Sequence, residues 1–293
     1  MKQNFYKKSN KIVNIYSKNL YFTSFFIKKQ YSKYIKLLYF ICRTLDEIAD
    51  KNNLASKKTK SFKRLNLILN QLKNKYNKNL DKLSFLIQIL KKNTAINIKF
   101  FIALIKMLIK DIHYPANIKT EKELIYYCYG VAGTIGLLIF PIIKSSRHNI
   151  RNAIHLGIFM QLINIARDVL EDALKGRRYL PARWVNNISA KEIIYLSNSP
   201  INKKHKIINN AILNTLNLSH YFYYKGINNI YQLNYTNRIF IKIISSIYYK
   251  IHNQIRKTNR HNIHNWIYKR IFITLYYKIF LILKIVLICY KMT

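Results

Sequence analysis

The chain has 293 residues, with 51 Lys and Arg against 11 Asp and Glu, and a net charge of +40. This charge would suit nucleic acid, an acidic membrane surface or an anionic substrate, or follow from codon bias. No RNA-binding aromatic signature or zinc-finger spacing is present, so we expect no nucleic acid partner. The three cysteines lie far apart and fit a reduced cytosol without disulfides or a cysteine metal site.

With only 6 Gly and 4 Pro, the composition predicts long helices. Residues 1–16 are expected to be a loose, basic lead-in, and residues 17–293 a single helical domain, because no linker interrupts them. Ser17 is predicted to cap a short helix. A longer helix is predicted from Tyr31 to Asp50. Its polar stripe recurs every three or four residues, at Tyr39, Arg43, Asp46 and Asp50.

Helical patterns follow at 61–77, 80–92 and 95–112, and Pro115 marks a turn. The next helix opens with two glutamates and carries glycines at positions 130, 133 and 136. They are predicted to form a smooth face that another helix or an apolar ligand can approach closely. Tyr127, Val131 and Ile135 are one turn apart on this helix. They are predicted to line an apolar channel, with ordinary core packing as the alternative.

The segment 161–181 is predicted to be one helix that ends at Gly176. Its polar positions follow spacings of three, four and four and therefore share one face. They are Gln161, Asn164, Asp168 and Asp172. Burying carboxylates among apolar side chains costs free energy unless a nearby cation neutralises their charge.

The acidic residues are concentrated in two windows of five residues. One holds Asp46, Glu47 and Asp50, and the other holds Asp168, Glu171 and Asp172, so the windows contain six of the 11 acids. An aspartate pair one turn apart is usually a solvated helix face. Because acids are scarce in the rest of this chain, we interpret these two windows as functional.

Helices are also predicted near 189–197 and, after Pro200, at 203–226, 235–258 and 262–291. The last segment is strongly apolar, but Lys278 and Lys284 interrupt it and leave no apolar stretch near the roughly 20 residues that a membrane span needs. We predict a buried or membrane-surface helix instead.

If the two acidic helices face each other, their carboxylates need cations. Magnesium fits, because it prefers oxygen ligands and binds through one or two carboxylates together with substrate phosphates, whereas zinc would require His or Cys. Arg43 and Arg167 would hold a diphosphate. A cavity with an acidic, magnesium-binding end and an apolar interior suits a reaction in which diphosphate leaves an allylic chain. The apolar interior would then keep water away from the carbocation.

Three segments, YFICRTLDEIAD (39–50), YCYGVAGTIG (127–136) and 161–181, resemble the squalene/phytoene synthase family over about residues 15–288. The resemblance implies an all-α, single-domain isoprenoid synthase fold around a central apolar cavity. It also implies head-to-head condensation of two prenyl diphosphates through a cyclopropyl diphosphate. The DExxD pattern at 46–50 is similar to bacterial phytoene synthases of carotenoid biosynthesis, which use geranylgeranyl diphosphate and need no NADPH.

The resemblance also implies roles for residues by position. The implied ligands for Mg²⁺, with Mn²⁺ as an alternative, are Asp46, Asp50, Asn164, Asp168 and Asp172. Tyr127 joins the four aspartates as a catalytic candidate. By the same resemblance, the candidate substrate contacts are Ser17, Lys18, Tyr39, Arg43, Gln161, Arg167, Tyr248 and Arg270. Val131 and Ile135 are added as substrate contacts because they are predicted to line the apolar channel. The segment between Ile255 and Arg270 is longer than the family pattern, which weakens the assignment of Tyr248 and Arg270.

Two other functions remain open. The same motifs serve relatives that use farnesyl diphosphate, namely dehydrosqualene, presqualene diphosphate and hydroxysqualene synthases, and pocket depth decides between the substrates. Non-catalytic helical relatives act as respiratory-complex assembly factors, but they have lost the aspartate motifs. For an enzyme of this family we expect a cytoplasmic location, peripheral at the inner face of the membrane, and a carotenoid desaturase as a partner.

Overall fold

The computed structural model describes residues 2–50, 55–74, 79–113, 116–261, 271 and 273–290. Within these ranges the fold is all-α, and the isolated β-bridge between Asn117 and Arg178 belongs to no strand. The helices of the described ranges are α1 Lys2–Tyr16, α2 Lys18–Thr23, α3 Lys29–Asp50, α4 Ala55–Lys73, α5 Lys82–Asn93, α6 Ile98–His113, α7 Glu121–Cys128, α8 Thr134–Ile142, α9 Ile150–Arg167, α10 Val169–Leu174, α11 Ala190–Ser197, α12 Lys203–Ile227, α13 Tyr235–His261 and α14 Leu275–Tyr290.

The expectation that residues 1–16 are loose is wrong, because residues 2–16 form α1. This helix packs against α3, where Val13 is fully buried in the same apolar cluster as Ile41 and Leu45. The Tyr6 and Tyr34 rings meet edge to face at 6.4 Å. Contact with α3 therefore buries the apolar face of this helix, which includes Tyr6 and Val13.

Helix α9 lies in the middle of the fold and packs against α8, α12 and α13. It is apolar on several sides, and Phe159, Leu162 and Ile163 are fully buried. The core has two parts. One surrounds α9 and α12, and the other joins α3, α4, α5 and α6. The space between these two parts is where a cavity can form.

Glycines allow α8 and α9 to approach closely, as the sequence predicts. A Cβ atom added to Gly136 would lie 2.2 Å from the Ala153 carbonyl oxygen, so any larger residue would push the helices apart. One feature was not predicted. The chain from Tyr129 to Gly133 is π-helical, a form that often occurs at functional sites.

The acidic segment is not one continuous helix. Helix α9 ends at Arg167, Asp168 has φ −107° and ψ 25°, and α10 begins at Val169. The backbone N–H groups of Asp168 and Asp172 still donate to the carbonyls four residues earlier, at 2.9 Å each, so the polar stripe survives the break. Gly176 has a φ of 76° just after α10, which agrees with the predicted helix end.

The last helix packs on α13. By length and composition alone, one stretch of the described chain, Glu121–Ile142, could cross a membrane, but half of its apolar 18-residue window is buried inside the protein. We therefore interpret it as a core element. Helix α14 has 16 residues, so its length of about 24 Å is less than the roughly 30 Å of a bilayer core.

Candidate active site

A cavity of about 490 Å³ lies between α3, α6, the α7–α9 segment and α13. Its interior is mostly apolar. The apolar residues that line it include Leu108, Val131, Ile135, Ile139, Leu156, Met160, Phe240 and Ile244. Val131 and Ile135 therefore face the cavity, as the channel prediction requires, and water inside it would meet few polar partners.

Most of the predicted site residues line this one cavity. They are Tyr39, Arg43, Asp46, Asp50, Tyr127, Val131, Ile135, Gln161, Asn164, Arg167, Asp168, Asp172 and Tyr248. Ser17 caps α2, where its hydroxyl accepts a hydrogen bond from the Leu20 N–H at 3.4 Å, and it lies within hydrogen-bonding reach of Tyr39. The Lys18 side chain and all of Arg270 lie outside the described residues.

Ion pairs join the two acidic segments at one end of the cavity. Asp50 on α3 accepts a hydrogen bond from Arg177 Nη1 at 2.8 Å, and Lys175 Nζ lies 3.6 Å from its other oxygen. Arg177 and Lys175 directly follow α10. The two acidic windows, which are 118 residues apart in the sequence, therefore meet in space and supply one polar end to an otherwise apolar pocket.

Asp168 and Arg167 form a tight pair beside this end. The guanidinium donates two hydrogen bonds to the carboxylate, from Nε at 2.8 Å and from Nη2 at 2.6 Å, and both side chains are only 13% exposed. Charge-assisted, bidentate bonds of this kind fix both groups. The break in the helix at Asp168 thus presents a carboxylate and a guanidinium together.

Asp46 and Asp172 lack such a partner, because no ion pair within the described ranges includes either carboxylate. Removal from water, reinforced by the nearby Asp50, raises the pKa of Asp46 to about 7. Removal from water, reinforced by Asp168, raises the pKa of Asp172 to about 8. Each acidic segment therefore offers one carboxylate whose negative charge is poorly compensated by the protein.

These donors fit magnesium. Carboxylate oxygens from both segments and the amide oxygen of Asn164 line the same cavity, without His or Cys beside them. Among the described residues, no group of three or more His, Cys, Asp or Glu is close enough to hold a metal by itself. A magnesium ion here would complete its shell with water and phosphate oxygens, which is its usual behaviour.

Four cationic side chains accompany the carboxylates along the cavity, namely Arg43, Arg167, Lys175 and Arg177. Arg43 Nε pairs with Glu47 at 3.2 Å, and its guanidinium lies 5.0 Å from the centre of the Tyr16 ring. A cavity end that combines uncompensated carboxylates with several cations can bind metal ions and a polyphosphate together.

A buried triad that the sequence did not predict lies beside this polar end. The Tyr127 hydroxyl donates a hydrogen bond to Asp111 Oδ2 at 3.1 Å, and the Tyr179 hydroxyl lies 3.0 Å from that of Tyr127 and 3.4 Å from Asp111. Burial raises the pKa of Asp111 to about 6, although Arg177 and the two tyrosines act in the opposite direction. All three side chains line the cavity.

Sequence reasoning had signals for some of these residues. Arg177 and Tyr179 lie within the 161–181 motif, but adjacent arginines gave no hint of which one points inward. Arg178 instead binds the backbone carbonyls of Ile118 and Leu180. Asp111 had a clearer signal, since it is a lone acid in an apolar helix of an acid-poor chain.

Comparisons with known proteins agree with this geometry. The sequence model described as squalene/phytoene synthase matches residues 13–276. A chloroplastic phytoene synthase of Daucus carota is 30% identical over 183 residues, which are 60% of this chain and 45% of that protein. A phytoene synthase of Thermus thermophilus is 48% identical over 67 residues, 23% of each protein. The chain thus spans less than half the length of these relatives.

Solved structures show the same fold. A dehydrosqualene synthase bound to a ligand superposes with a TM-score of 0.78 and 21% identity, covering 99% of this chain and 98% of its own. A squalene synthase of Alicyclobacillus acidocaldarius has a TM-score of 0.69 and 14% identity, covering 88% and 95%. Because both identities are below 25%, the superpositions show that the fold is shared and do not identify a substrate.

Proposed function

The chain belongs to the squalene/phytoene synthase family, and from this premise we propose that it joins two prenyl diphosphates head to head. The family consists of prenyltransferases that carry out such condensations. The observation that carries the proposal is the meeting of two acidic segments and four cationic side chains at one end of an apolar cavity.

We propose geranylgeranyl diphosphate as the substrate and phytoene as the product. In support, curated relatives from plants and bacteria bear the name phytoene synthase. Two substrate molecules first give a cyclopropyl diphosphate, with loss of one diphosphate and one proton. Loss of the second diphosphate, rearrangement and loss of a second proton then give the hydrocarbon, so no reductant is consumed and NADPH is not required.

The polar end of the cavity would bind the diphosphates. Arg43, Arg167 and Arg177 can each donate paired hydrogen bonds to phosphate oxygens, and Lys175 adds a further positive charge. Asp46, Asp50, Asn164, Asp168 and Asp172 would hold magnesium. When bound, this ion neutralises the phosphate oxygens and stabilises the departing diphosphate. Manganese is the proposed substitute, because it accepts similar oxygen ligands.

The apolar interior would protect the carbocation. Val131, Ile135 and the neighbouring apolar side chains exclude water, which would otherwise capture the cation as an alcohol. The Tyr127 and Tyr179 rings lie 4.7 Å apart, next to the polar end, where their faces and hydroxyl oxygens can stabilise positive charge. Burial raises the pKa of Tyr127, so its hydroxyl stays neutral and keeps its hydrogen bond to Asp111.

The test is product identification. Purified full-length protein is incubated with magnesium and, in separate reactions, with geranylgeranyl or farnesyl diphosphate, without NADPH, and the extracted lipid is chromatographed. We expect phytoene from geranylgeranyl diphosphate, no product in EDTA, and recovery when magnesium is restored. EDTA-resistant turnover would contradict the metal assignment, and folded protein that converts neither substrate would support the non-catalytic alternative.

The second candidate is a farnesyl diphosphate condensing enzyme. It is favoured by the structural neighbours, which bear the names dehydrosqualene and squalene synthase. It requires the same polar end and a shorter cavity. Product from farnesyl diphosphate alone would establish this candidate and leave the carboxylate site unchanged.

A hydrocarbon product of this size would enter lipid, so the proposal includes a peripheral position on the cytoplasmic face of the membrane. A carotenoid desaturase is the class of enzyme that would consume phytoene. The product assay tests the proposed desaturase partner, and flotation with lipid vesicles tests the membrane position.

A further inference from the structure

The last helix, α14, is apolar on two opposite faces. One face packs into the protein core, where Ile282, Ile285 and Cys289 are buried in the same cluster as Ile251 and Ile255 of α13. A helix on the surface of a soluble protein normally presents polar and charged side chains on its other side. Helix α14 does not.

Its outer face consists of large exposed hydrophobic side chains. They are Leu275, Tyr276, Ile279, Phe280, Leu283 and Leu287, with exposures from 46% at Ile279 to 87% at Tyr276. Steps of one, three and four residues bring all six to the same side of the helix. A contiguous apolar surface of this kind marks an interaction site.

Basic side chains lie along one border of this outer face. By helical spacing, the exposed Lys284 falls on this border. On the adjoining α13, Lys250 Nζ lies 4.3 Å above the centre of the Tyr277 ring. Lysines with long apolar stems can keep their charges at a polar boundary while neighbouring side chains enter an apolar phase.

We propose that the outer face of α14 binds the surface of an anionic lipid bilayer, with the helix axis parallel to the membrane. The apolar side chains would enter the boundary between headgroups and acyl chains, and the bordering lysines would meet anionic headgroups. Tyr276 and Phe280 supply the aromatic side chains that favour this boundary. At about 24 Å, the helix is too short to span the bilayer.

The charge of the chain favours an anionic bilayer over a second copy of the chain or a nucleic acid as the partner of this outer face. The chain carries a net charge of +40 and has no acidic residue after Glu192, so a second copy would bring like charges together. Nucleic acid would satisfy the lysines but leave six hydrophobic side chains in water. An anionic bilayer satisfies both features, and this reasoning does not depend on which reaction the cavity performs.

The experiment is vesicle flotation of the full-length protein. Vesicles of phosphatidylcholine alone are compared with vesicles that also contain phosphatidylglycerol, at low and at high salt. We expect flotation with the anionic vesicles at low salt and partial release at high salt, because salt screens the lysines but not the apolar contacts. The variant Phe280→Ser/Leu283→Ser should weaken the partition coefficient by about tenfold or more, since it removes two large apolar groups.

A matched control tests whether the loss of membrane binding is specific to this face or follows from removing any exposed hydrophobic side chains. Tyr195→Ser/Ile201→Ser removes two exposed hydrophobic side chains elsewhere, with exposures of 73% and 64%, and should float like the unchanged protein. Circular dichroism checks the fold of each variant. In addition, Phe280→Trp should show a blue shift of its emission on anionic vesicles, beyond any shift of the natural tryptophans in the parent protein.

Three results would overturn the proposal. The first is unchanged flotation of a folded Phe280→Ser/Leu283→Ser variant. The second is absence of flotation by the parent protein with anionic vesicles. The third is a lipid-free dimer of the parent protein that becomes a monomer in the variant, measured by light scattering, since a second copy would then cover the face. None of these outcomes depends on catalytic activity, so the proposed function is tested separately.

Discussion

At the scale of single residues, the four aspartates of the site differ in whether a cationic side chain pairs with their negative charge. Asp168 is held by Arg167 through two short hydrogen bonds, and Asp50 by Arg177. Asp46 and Asp172 have raised pKa values instead, chiefly because they are removed from water. This division gives each acidic segment one fixed carboxylate and one that gains most from a bound cation.

Asp168→Asn should lower turnover by more than about 100-fold, because it removes a charged metal donor and the partner of Arg167. Helicity by circular dichroism should not change. Glu121→Gln, which alters an exposed acid at the start of α7, is the control and should retain full turnover. Normal activity of Asp168→Asn would remove this carboxylate from the site.

Asp111→Asn should increase stability while reducing activity. Burial raises the pKa of Asp111 from 3.8 to about 6, so the folded state binds its proton more tightly than the unfolded state does. Stability contributed by this group is therefore present at low pH and lost as pH rises from about 4 to about 6. At pH 7.5 the variant should gain about 1 to 2 kcal/mol in the free energy of unfolding, after loss of some hydrogen bonding.

The measurement is denaturant unfolding of the parent protein and of Asp111→Asn at pH 7.5 and at pH 5. The gain should be smaller at pH 5, because Asp111 of the parent is then largely protonated. Turnover should fall at both pH values, since the hydrogen bond that orients Tyr127 is weakened. A gain that is equal at both pH values would contradict the assigned pKa.

At the scale of helices, periodicity in the sequence predicted most of the bundle. The predicted helix from Tyr31 to Asp50 is observed as Lys29–Asp50, and the one predicted at 235–258 as Tyr235–His261. These helices have strong apolar faces, and such faces determine where a helix packs. The polar stripe of the 161–181 segment was predicted for the same reason.

Features that depend on distant contacts were missed. Helix α1 is rich in Lys and Asn, and it is stabilised by packing on α3. The break at Asp168 keeps the three- and four-residue spacing, so the stripe alone could not reveal it. The hydrogen-bond partners of Asp111 lie 16 and 68 residues away in the sequence, and a local sequence pattern cannot predict contacts over such separations.

Gly136→Ala should destabilise the α8–α9 contact. The added methyl group would lie 2.2 Å from the Ala153 carbonyl oxygen, and backbone cannot move aside without separating the helices. We expect a loss of about 1 to 3 kcal/mol in the free energy of unfolding, measured with denaturant. Gly133→Ala meets mainly side-chain atoms at 3.0 Å or more and should cost less. Equal effects would contradict this account of the contact.

At the scale of the whole molecule, the fold brings three distant parts of the sequence to one cavity. Residues from α3, from the α7–α8 segment and from α9–α10 line its wall, and α13 contributes Tyr248 and Phe240. The all-α architecture and the family were predicted from the sequence motifs. The cavity shape was not, because it depends on how the two parts of the core separate around α9.

The central claim is that the two acidic segments form one magnesium and diphosphate site. Calorimetric titration of inorganic diphosphate into the full-length protein, with and without magnesium, tests it most directly. We predict binding that requires magnesium and weakens by about tenfold or more in both Asp46→Asn and Asp172→Asn, with Glu121→Gln unchanged. Equal diphosphate affinity without magnesium, or full affinity in either aspartate variant, would contradict the claim.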